Sequence, residues 1–470
     1  MNGTKVSKTA LPTLISVFFF WGFVAASNDI LIPVFKEKLN LEQWQSQMIS
    51  FAFYIAYTVG AIIYYLISRT KKGDLLNRIG YKNGIALGLS ISALGTLLFY
   101  PAAETASFAL MITGLFIVGL GFSLQQTAAN PLTIVLGNPA KGSQRLSLAG
   151  GINNIGTTIG PLLVSLAIFG SLSGHSDMDI QSVKVPYLIL GAAFLIVAVI
   201  FKFSSIPDKI DHIEEHQKSV TEDRGSVWKY PQLVMGMIGI FVYVGVEVST
   251  ASNLPEHMKQ HMGLPTELIA PYVSLFWASL MIGRWTSSVS VLNLSQTGKK
   301  IMHFLMPYLA FGFFLLVNII TGHDISPFYY YPGVILVLII ANLLSKDDPA
   351  RQLLIFSVLG ITALAIGMMT SGLVSVYAFI SVGLFCSTLW PCIFTLAISG
   401  LGKHTNEGSG LLIMMIMGGG IISLLQGYLA SDSLLGIQHS YVVGVACFLY
   451  LAWYAWKVRG VMRTEALRQV

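Results

Sequence analysis

The chain has 470 residues, of which 54% are hydrophobic and only 11% are charged, and its mean hydropathy is +0.70. Soluble domains carry about 25% charged residues, so this composition excludes an ordinary soluble protein. The net charge is +6, but the basic residues lie in short connections rather than in one patch, which argues against a nucleic-acid partner. The composition indicates a helical protein embedded in a lipid bilayer.

Apolar stretches of about 20 residues, the length that crosses a bilayer as a helix, recur along the chain. They predict an all-α polytopic membrane protein with fourteen membrane-spanning helices, six before and eight after the polar segment KIDHIEEHQKSVTEDRGSVWKY (209–230). In chain order the predicted helices are 11–35, 44–68, 82–101, 107–136, 145–171, 185–204, 231–254, 267–292, 301–321, 328–345, 352–371, 373–400, 407–430 and 437–457.

The distribution of basic residues predicts the orientation of these helices. With a cytoplasmic N-terminus, only Lys36, Lys38, Lys184 and Lys259 of the 28 Lys and Arg residues fall on the outer side. Because basic residues are enriched on the cytoplasmic side of membrane proteins, we expect both termini in the cytoplasm and the chain in the cell inner membrane.

The polar segment also predicts the domain organisation. We expect an N-terminal six-helix bundle at 1–205, a cytoplasmic linker at 206–230 and a C-terminal bundle at 231–470. Two halves around a linker indicate an internal repeat, the usual construction of secondary transporters. Gly156 and Gly160 in the fifth helix form a small-xxx-small pair, which predicts close helix packing.

Two acidic residues lie inside predicted spans. Asp29, beside Asn28, interrupts an apolar run from Leu11 to Phe35, and Glu247 lies about midway along FVYVGVEVSTASNLP (241–255). A charged side chain there costs roughly 2.5–3.5 kcal/mol on insertion scales, so intramembrane acids usually serve a function. We predict that both carboxylates take up a proton or bind a cation; a purely structural buried carboxylate is the alternative.

Amide and tryptophan side chains supply the other polar groups of these helices. A sugar hydroxyl both donates and accepts a hydrogen bond, and amides match that pattern, whereas a tryptophan ring can stack on a sugar. The alternative is that the amides join helices and the tryptophans pack. The predicted substrate-binding residues are Asn28, Asp29, Gln125, Gln126, Asn130, Asn153, Asn154, Asn253, Trp277 and Trp390.

Motifs for other kinds of chemistry are missing from the sequence. There is no phosphate-binding GxxxxGK[ST] loop, so ATP is not expected to drive the protein directly. No nucleophile–base set or HExxH motif is present, and neither histidine pair at i, i+4 spacing has a third ligand. We therefore expect no enzyme activity, no cofactor and no structural metal.

Several segments resemble a known family. SRTKKGDLLNRIGYKNG (68–84) resembles the signature loop of the major facilitator superfamily, with Asn77 where an aspartate is usual. GFVAASNDILIP (22–33), LQQTAANPLTIVLG (124–137) and LWPCIFTLAISGLGKHTNEGSG (389–410) resemble the fucose–proton symporter family. That family includes glucose/galactose and N-acetylglucosamine transporters and sodium-dependent glucose transporters. The resemblance covers nearly the whole chain except about 293–350.

This resemblance implies a major facilitator fold of two six-helix bundles. It implies that Asp29 takes part in substrate binding and coupling, and that Asn153 lines the pocket. The fucose permeases have a glutamate, taken to be the protonation site, where this chain has Gln126, so Glu247 is the remaining candidate to share the coupling with Asp29. Since the family has twelve spans, the two near 301–321 and 328–345 are expected to form an inserted hairpin at about 295–350.

The residues and the resemblance together predict a secondary active transporter. We expect uptake of a hexose such as glucose, galactose or mannose, coupled to Na+ or H+, by alternating access, with any Na+ held near Asp29 or Glu247. N-acetylglucosamine or fucose is the alternative substrate. A membrane sugar sensor without transport is an alternative of another class, and an exporter of apolar compounds would require a less polar cavity. We expect a monomer.

Overall fold

The computed structural model describes residues 10–68, 75–135, 142–169, 184–204, 206, 226–289, 294–346, 348–401 and 405–468. Within these ranges the regular structure is helical. The α-helices of ten residues or more are α1 (Ala10–Leu39), α2 (Met48–Ser68), α3 (Tyr81–Leu97), α4 (Phe108–Val135), α5 (Gly142–Phe169), α6 (Lys184–Phe203), α7 (Pro231–Met262), α8 (Ala270–Ser288), α9 (Gln296–Ile320), α10 (Tyr331–Ser345), α11 (Pro349–Met369), α12 (Gly372–Cys386), α13 (Leu389–Ile398), α14 (Thr405–Met414), α15 (Gly418–Leu429) and α16 (Val442–Arg468).

Shorter helices occupy several of the connections. The α-helical ones are Gln43–Ser46, Leu75–Ile79, Phe99–Glu104 and Gly436–His439, and the 3-10 turns are Val227–Lys229, Thr266–Leu268, Ser326–Tyr330 and Met415–Met417. Most of the predicted linker at 206–230 lies outside the described residues, which include only 206 and 226–230 of it.

Local signals explain several helix ends. Asp348 caps α11 by accepting hydrogen bonds from the backbone N–H groups of Ala350 and Arg351, and Pro349 occupies the first turn, where its missing N–H costs nothing. Gly263 ends α7 in the left-handed region at φ 63°, a conformation that glycine adopts without strain. These signals fix the ends of α7 and α11.

Twelve helical segments of the described chain are long and apolar enough to cross a membrane. The prediction of fourteen spans with an inserted hairpin is therefore not confirmed by this criterion. The predicted helices at 145–171 and 267–292 do form, as α5 and α8, but they are not among the twelve. The physical reason is their polarity, because α5 carries amides and hydroxyls along its length and α8 carries Arg284 among hydroxyl residues.

The pairing of helices before the linker recurs after it. In the first half α1 packs along α5, α2 along α4, and α3 along both α4 and α6. In the second half α7 packs along α15, α8 along α12, and α11 along both α12 and α16. Helices α9 and α10 have no counterpart in this pattern; α9 packs on α8, and α10 packs mainly on α11.

Glycines bring the helices of each half close together. A Cβ on Gly156 of α5 would lie 2.1 Å from the carbonyl oxygen of Phe19 in α1, and one on Gly160 would lie 2.6 Å from that of Phe23. Such distances are far below van der Waals contact, so only glycine fits, and the predicted close packing at this pair is present. A Cβ on Gly418, the first residue of α15, would lie 1.9 Å from the carbonyl oxygen of Phe241 in α7.

Among helices α1 to α16, the largest contacts between the two halves are those of α1 with α7, α2 with α15, and α5 with α8, and α1 also touches α8. The polar side chains predicted to be functional lie on four of these six helices, α1, α5, α7 and α8, and on α4 and α13. The fold therefore places them at or near the surface between the halves.

Candidate functional site

Asp29 lies on α1 and is only 2% exposed. Its Oδ2 accepts a hydrogen bond of 2.7 Å from the indole Nε1 of Trp277, which lies on α8 in the other half and is also buried. The structure thus brings together two residues predicted from sequence, 248 positions apart. Their bond crosses between the halves, so it depends on how the halves are placed.

Glu247 lies on α7 and is partly exposed. The hydroxyl of Tyr243, one helical turn earlier, donates a hydrogen bond to its Oε2. The same hydroxyl oxygen lies 3.5 Å from Nη2 of Arg284 on α8. A carboxylate, a phenol and a guanidinium therefore form a chain in the second half.

Arg284 also reaches the first half. Its Nη1 donates to Oδ1 of Asn154 on α5 at 3.1 Å, and its Nε donates to the carbonyl oxygen of Ser387 at 3.3 Å. Among the described residues no carboxylate lies within 4.0 Å of this guanidinium. The ion pairs of the described residues are all elsewhere and are Lys36–Glu256, Lys184–Glu104, Lys259–Glu37 and Arg459–Asp348. Arg284 is thus a cation within α8 whose hydrogen-bond acceptors are neutral groups.

Tyrosines of α2 line the region near the two acids. Gln126 of α4 donates to the hydroxyl of Tyr57 at 3.2 Å, and the rings of Tyr54 and Tyr57 stack with centroids 6.2 Å apart. Tyr54 lies within electrostatic range of both Asp29 and Glu247. Gln126 and Tyr54 are partly exposed, so their polar groups are accessible to a ligand.

Several predicted binding residues already have partners within the protein. Gln125 accepts from Trp21 Nε1 at 2.9 Å and donates to Ser92 Oγ at 3.1 Å. Asn153 donates to the carbonyl oxygen of Phe18 at 2.9 Å but remains partly exposed. Buried Gln125 is thus engaged between helices of its own half, whereas Asn153 keeps an accessible side.

The remaining predicted residues are placed as follows. Asn130 is partly exposed one turn beyond Gln126, and Trp390 of α13 lies tilted against Tyr243, with ring centroids 6.1 Å apart. Asn253 is buried and accepts from Gln43 Nε2 at 2.9 Å, across the halves. The side chain of Asn28 lies outside the described residues.

Ion pairs join the halves where α1 ends, which we call the Lys36 end. Lys36 pairs with Glu256 at 2.6 Å, and Lys259 pairs with Glu37 at 2.7 Å, so each half contributes one lysine and one glutamate. The Gln43–Asn253 bond lies beside them. The opposite end of the bundle, where α7 begins, is called the linker end.

The sequence did not single out Arg284, Tyr243 or Tyr57 as site residues. Arg284 entered the charge distribution only as one of the Lys and Arg residues of the inner side, although an arginine within a predicted span is itself a functional signal. The tyrosines gave no such signal, because a tyrosine in a membrane helix is ordinary packing material. In the described part of the chain no group of three or more His, Cys, Asp or Glu side chains could hold a metal ion.

Comparison with known proteins agrees with this architecture. Residues 13–342 match the model of the Major Facilitator Superfamily. The chain is 33% identical over 449 residues to the glucose/galactose transporter of Brucella abortus biovar 1 (strain 9-941), covering 95% of this chain and 93% of that protein. It is 26% identical to the L-fucose-proton symporter of Escherichia coli (strain K12), covering 94% and 91% of the two chains.

A solved structure shows the same fold. The crystal structure of the E. coli fucose:proton symporter superposes with a TM-score of 0.63 at 24% identity, over 97% of this chain and 99% of that one. These relatives are transporters rather than enzymes, as predicted. The all-helical architecture, the matched residues and the similarity over nearly the whole length show that the chain is a multi-pass membrane protein belonging to the Major Facilitator Superfamily.

Proposed function

We propose that this protein takes up a hexose such as glucose, galactose or mannose by alternating access, coupled to a cation gradient. The observation that carries the proposal is the bond between Asp29 and Trp277, since it ties an intramembrane carboxylate to the contact between the halves. Coupling requires that cation and sugar bias the same conformational equilibrium, and a group in this position can do that. The relatives named as glucose/galactose transporters support the choice of sugar.

The proposed coupling ion is H+ rather than Na+. A bound Na+ needs several oxygen ligands, whereas Asp29 Oδ2 is engaged by an N–H donor and Glu247 lies within electrostatic range of the cationic Arg284. A proton needs only one carboxylate oxygen. The relatives named L-fucose-proton symporters point the same way.

The sugar contacts are proposed for those predicted residues that keep an accessible side. These are Gln126, Asn130, Asn153 and Trp390. Asp29 and Trp277 contact the sugar only when the halves separate. The segments GFVAASNDILIP (22–33) and KHTNEGSG (403–410) favour a hexose or N-acetylglucosamine, and fucose remains an alternative substrate.

We also propose that α5 and α8 cross the membrane, which gives fourteen spans. At 1.5 Å per residue the 19 residues of α8 reach roughly 28 Å, close to the thickness of a bilayer core. Helix α5 packs between α1 and α8, so its polar groups face protein and need not meet lipid. In this arrangement α9 and α10 form the inserted hairpin between two six-helix bundles at 1–205 and 231–470.

An even number of spans puts both termini on one side. We place that side in the cytoplasm and the chain in the inner membrane, because the basic residues concentrate there. The Lys36 end then faces outward, and the linker end faces the cytoplasm.

The test is uptake of radiolabelled glucose into proteoliposomes under an imposed proton gradient and, separately, under an imposed Na+ gradient. Accumulation with the proton gradient alone supports the proposal. Accumulation with Na+ alone would overturn the choice of ion but keep the transporter. Sugar binding without any flux would instead identify a sensor.

A further inference from the structure

Arg284 lies four residues before the end of α8, toward the linker end of the bundle. Arg284 is partly exposed, and even partial removal of a cation from water is costly unless the cation is well paired. Arginines within membrane helices usually face a partner of opposite charge. Here the three acceptors are an amide oxygen, a backbone carbonyl and a phenol. The guanidinium therefore has hydrogen bonds but no direct counter-charge among the described side chains.

The nearest candidate counter-charge is Glu247. Its carboxylate accepts from the hydroxyl of Tyr243, and Arg284 contacts the same hydroxyl oxygen. Since the two charged groups share one hydroxyl, rotation of the flexible arginine side chain brings them into direct contact. Among the described residues, Tyr54 and Cys386 also interact electrostatically with Glu247.

One of the three acceptors of Arg284, Asn154, lies in the other half. Asn154 is 2% exposed, and its Nδ2 has no hydrogen-bond partner, so the amide is held at this place only through its oxygen. A buried polar group without a hydrogen-bond partner costs about 1–3 kcal/mol of free energy, so the amide is stabilised if the halves separate and water reaches it. The Arg284–Asn154 hydrogen bond can thus be replaced by a hydrogen bond of Arg284 to another acceptor at little cost.

We propose that Arg284 is a positioning residue that links the charge on Glu247 to the contact between the halves at Asn154. When Glu247 is neutral, the guanidinium stays on Asn154 and holds the halves together toward the linker end. When Glu247 is charged, it draws the guanidinium away from Asn154, and the halves separate there. The arginine is therefore a two-position element biased by the coupling ion, and this role rests on the proposed function.

The first experiment measures the distance between the halves without relying on transport. Spin labels are placed on Leu66→Cys of α2 and Ile301→Cys of α9, both exposed and both near the linker end. Glu247→Gln imitates the neutral carboxyl. We expect it to shift the pulsed-EPR distance distribution of the labelled protein toward shorter distances.

The same measurement in an Arg284→Gln background tests the link. If Arg284 carries the effect, Glu247→Gln no longer shifts the distribution there, whereas the shift persists in the control Arg459→Gln, whose arginine is exposed. An equal shift in the Arg284→Gln background, or no shift in the wild-type background, would overturn the proposal. Should Arg284→Gln not fold, Arg284→Lys serves instead, because it keeps the charge but cannot contact all three acceptors together.

Transport assays on the same proteins separate this inference from the proposed function. We expect Arg284→Gln to lower gradient-driven sugar accumulation at least tenfold while sugar exchange continues. Accumulation that survives in Arg284→Gln would overturn only the role of Arg284. Failure of the wild type to transport any hexose would overturn the proposed function, and the role in coupling with it.

Discussion

The surroundings of the two intramembrane acids differ. Asp29 is buried, and its one observed partner, Trp277, belongs to the opposite half. Glu247 is partly exposed, and its observed partner, Tyr243, belongs to its own helix. A carboxylate that is hydrogen-bonded across the halves loses its partner when the halves separate. A carboxylate that is hydrogen-bonded within one half can change its charge before the halves move. The proposed coupling therefore has two parts that the predictions below test separately, a response of Asp29 to separation of the halves and a change of charge at Glu247.

Replacement of Asp29 by alanine is expected to have the largest effect, because it removes both the charge and the acceptor of Trp277. We expect loss of gradient-driven uptake and also of sugar exchange. Asp29→Asn is the matched control, since its amide oxygen still accepts from the indole; it should retain exchange and lose accumulation. If alanine and asparagine behave alike, the hydrogen bond across the halves has no separate role.

Glu247→Gln is expected to abolish accumulation in a gradient while sparing sugar exchange. Glutamine keeps the acceptor for Tyr243 but cannot take up a proton, so only the coupling is lost. Uptake and counterflow of labelled glucose in proteoliposomes measure the two activities separately. If gradient-driven uptake remained intact in Glu247→Gln, Glu247 would have no role in coupling, and Asp29 would be the one remaining candidate of the two acids.

Trp277→Phe tests the partner of Asp29 rather than the acid. Phenylalanine keeps much of the ring but not the N–H, and an unpaired buried acceptor costs about 1–3 kcal/mol, or roughly 5- to 150-fold in affinity. We expect the apparent affinity for sugar to change within this range. The control Trp390→Phe removes an indole that has no observed bond to either acid, and its effect should not depend on whether residue 29 is Asp or Asn.

The smallest effect is expected at the Lys36 end. Lys36→Ala removes a less exposed ion pair than Lys259→Ala does. Exposed pairs contribute about 0–1 kcal/mol, so Lys259→Ala should change transport less than about fivefold and Lys36→Ala somewhat more. Both effects should shrink at high salt, since screening weakens the pairs. Effects independent of salt would show that these lysines act through packing.

The sequence predicted the helical fold and both acids, because long apolar runs and charges within them are local signals. It could not predict that Trp277 donates to Asp29 rather than only stacking on a ligand, since the contact joins positions in different halves. Asn253 shows the same limit, because its partner Gln43 is set by the packing of the halves. Local pattern identified polar residues but not their partners.

The number of spans shows a second limit. Hydropathy finds helices that face lipid, whereas α5 and α8 are packed against protein on several sides and need not be apolar. Arg284 does lie near a helix end, four residues before the end of α8, but its position along one helix does not predict its contacts with other helices. Its contacts emerge only once α5, α7 and α8 are assembled.

The polarity of α5 and α8 has a consequence for biogenesis. Charged and amide side chains within a helix oppose its insertion by the translocon, and α8 carries Arg284 whereas α5 carries amides. Because the chain is made from its N-terminus, α1 is already in the membrane when α5 emerges, and α5 is there when α8 emerges. If α5 and α8 cross the membrane as proposed, the order of synthesis provides each polar helix with a packing partner, and insertion of the second half then depends on the first.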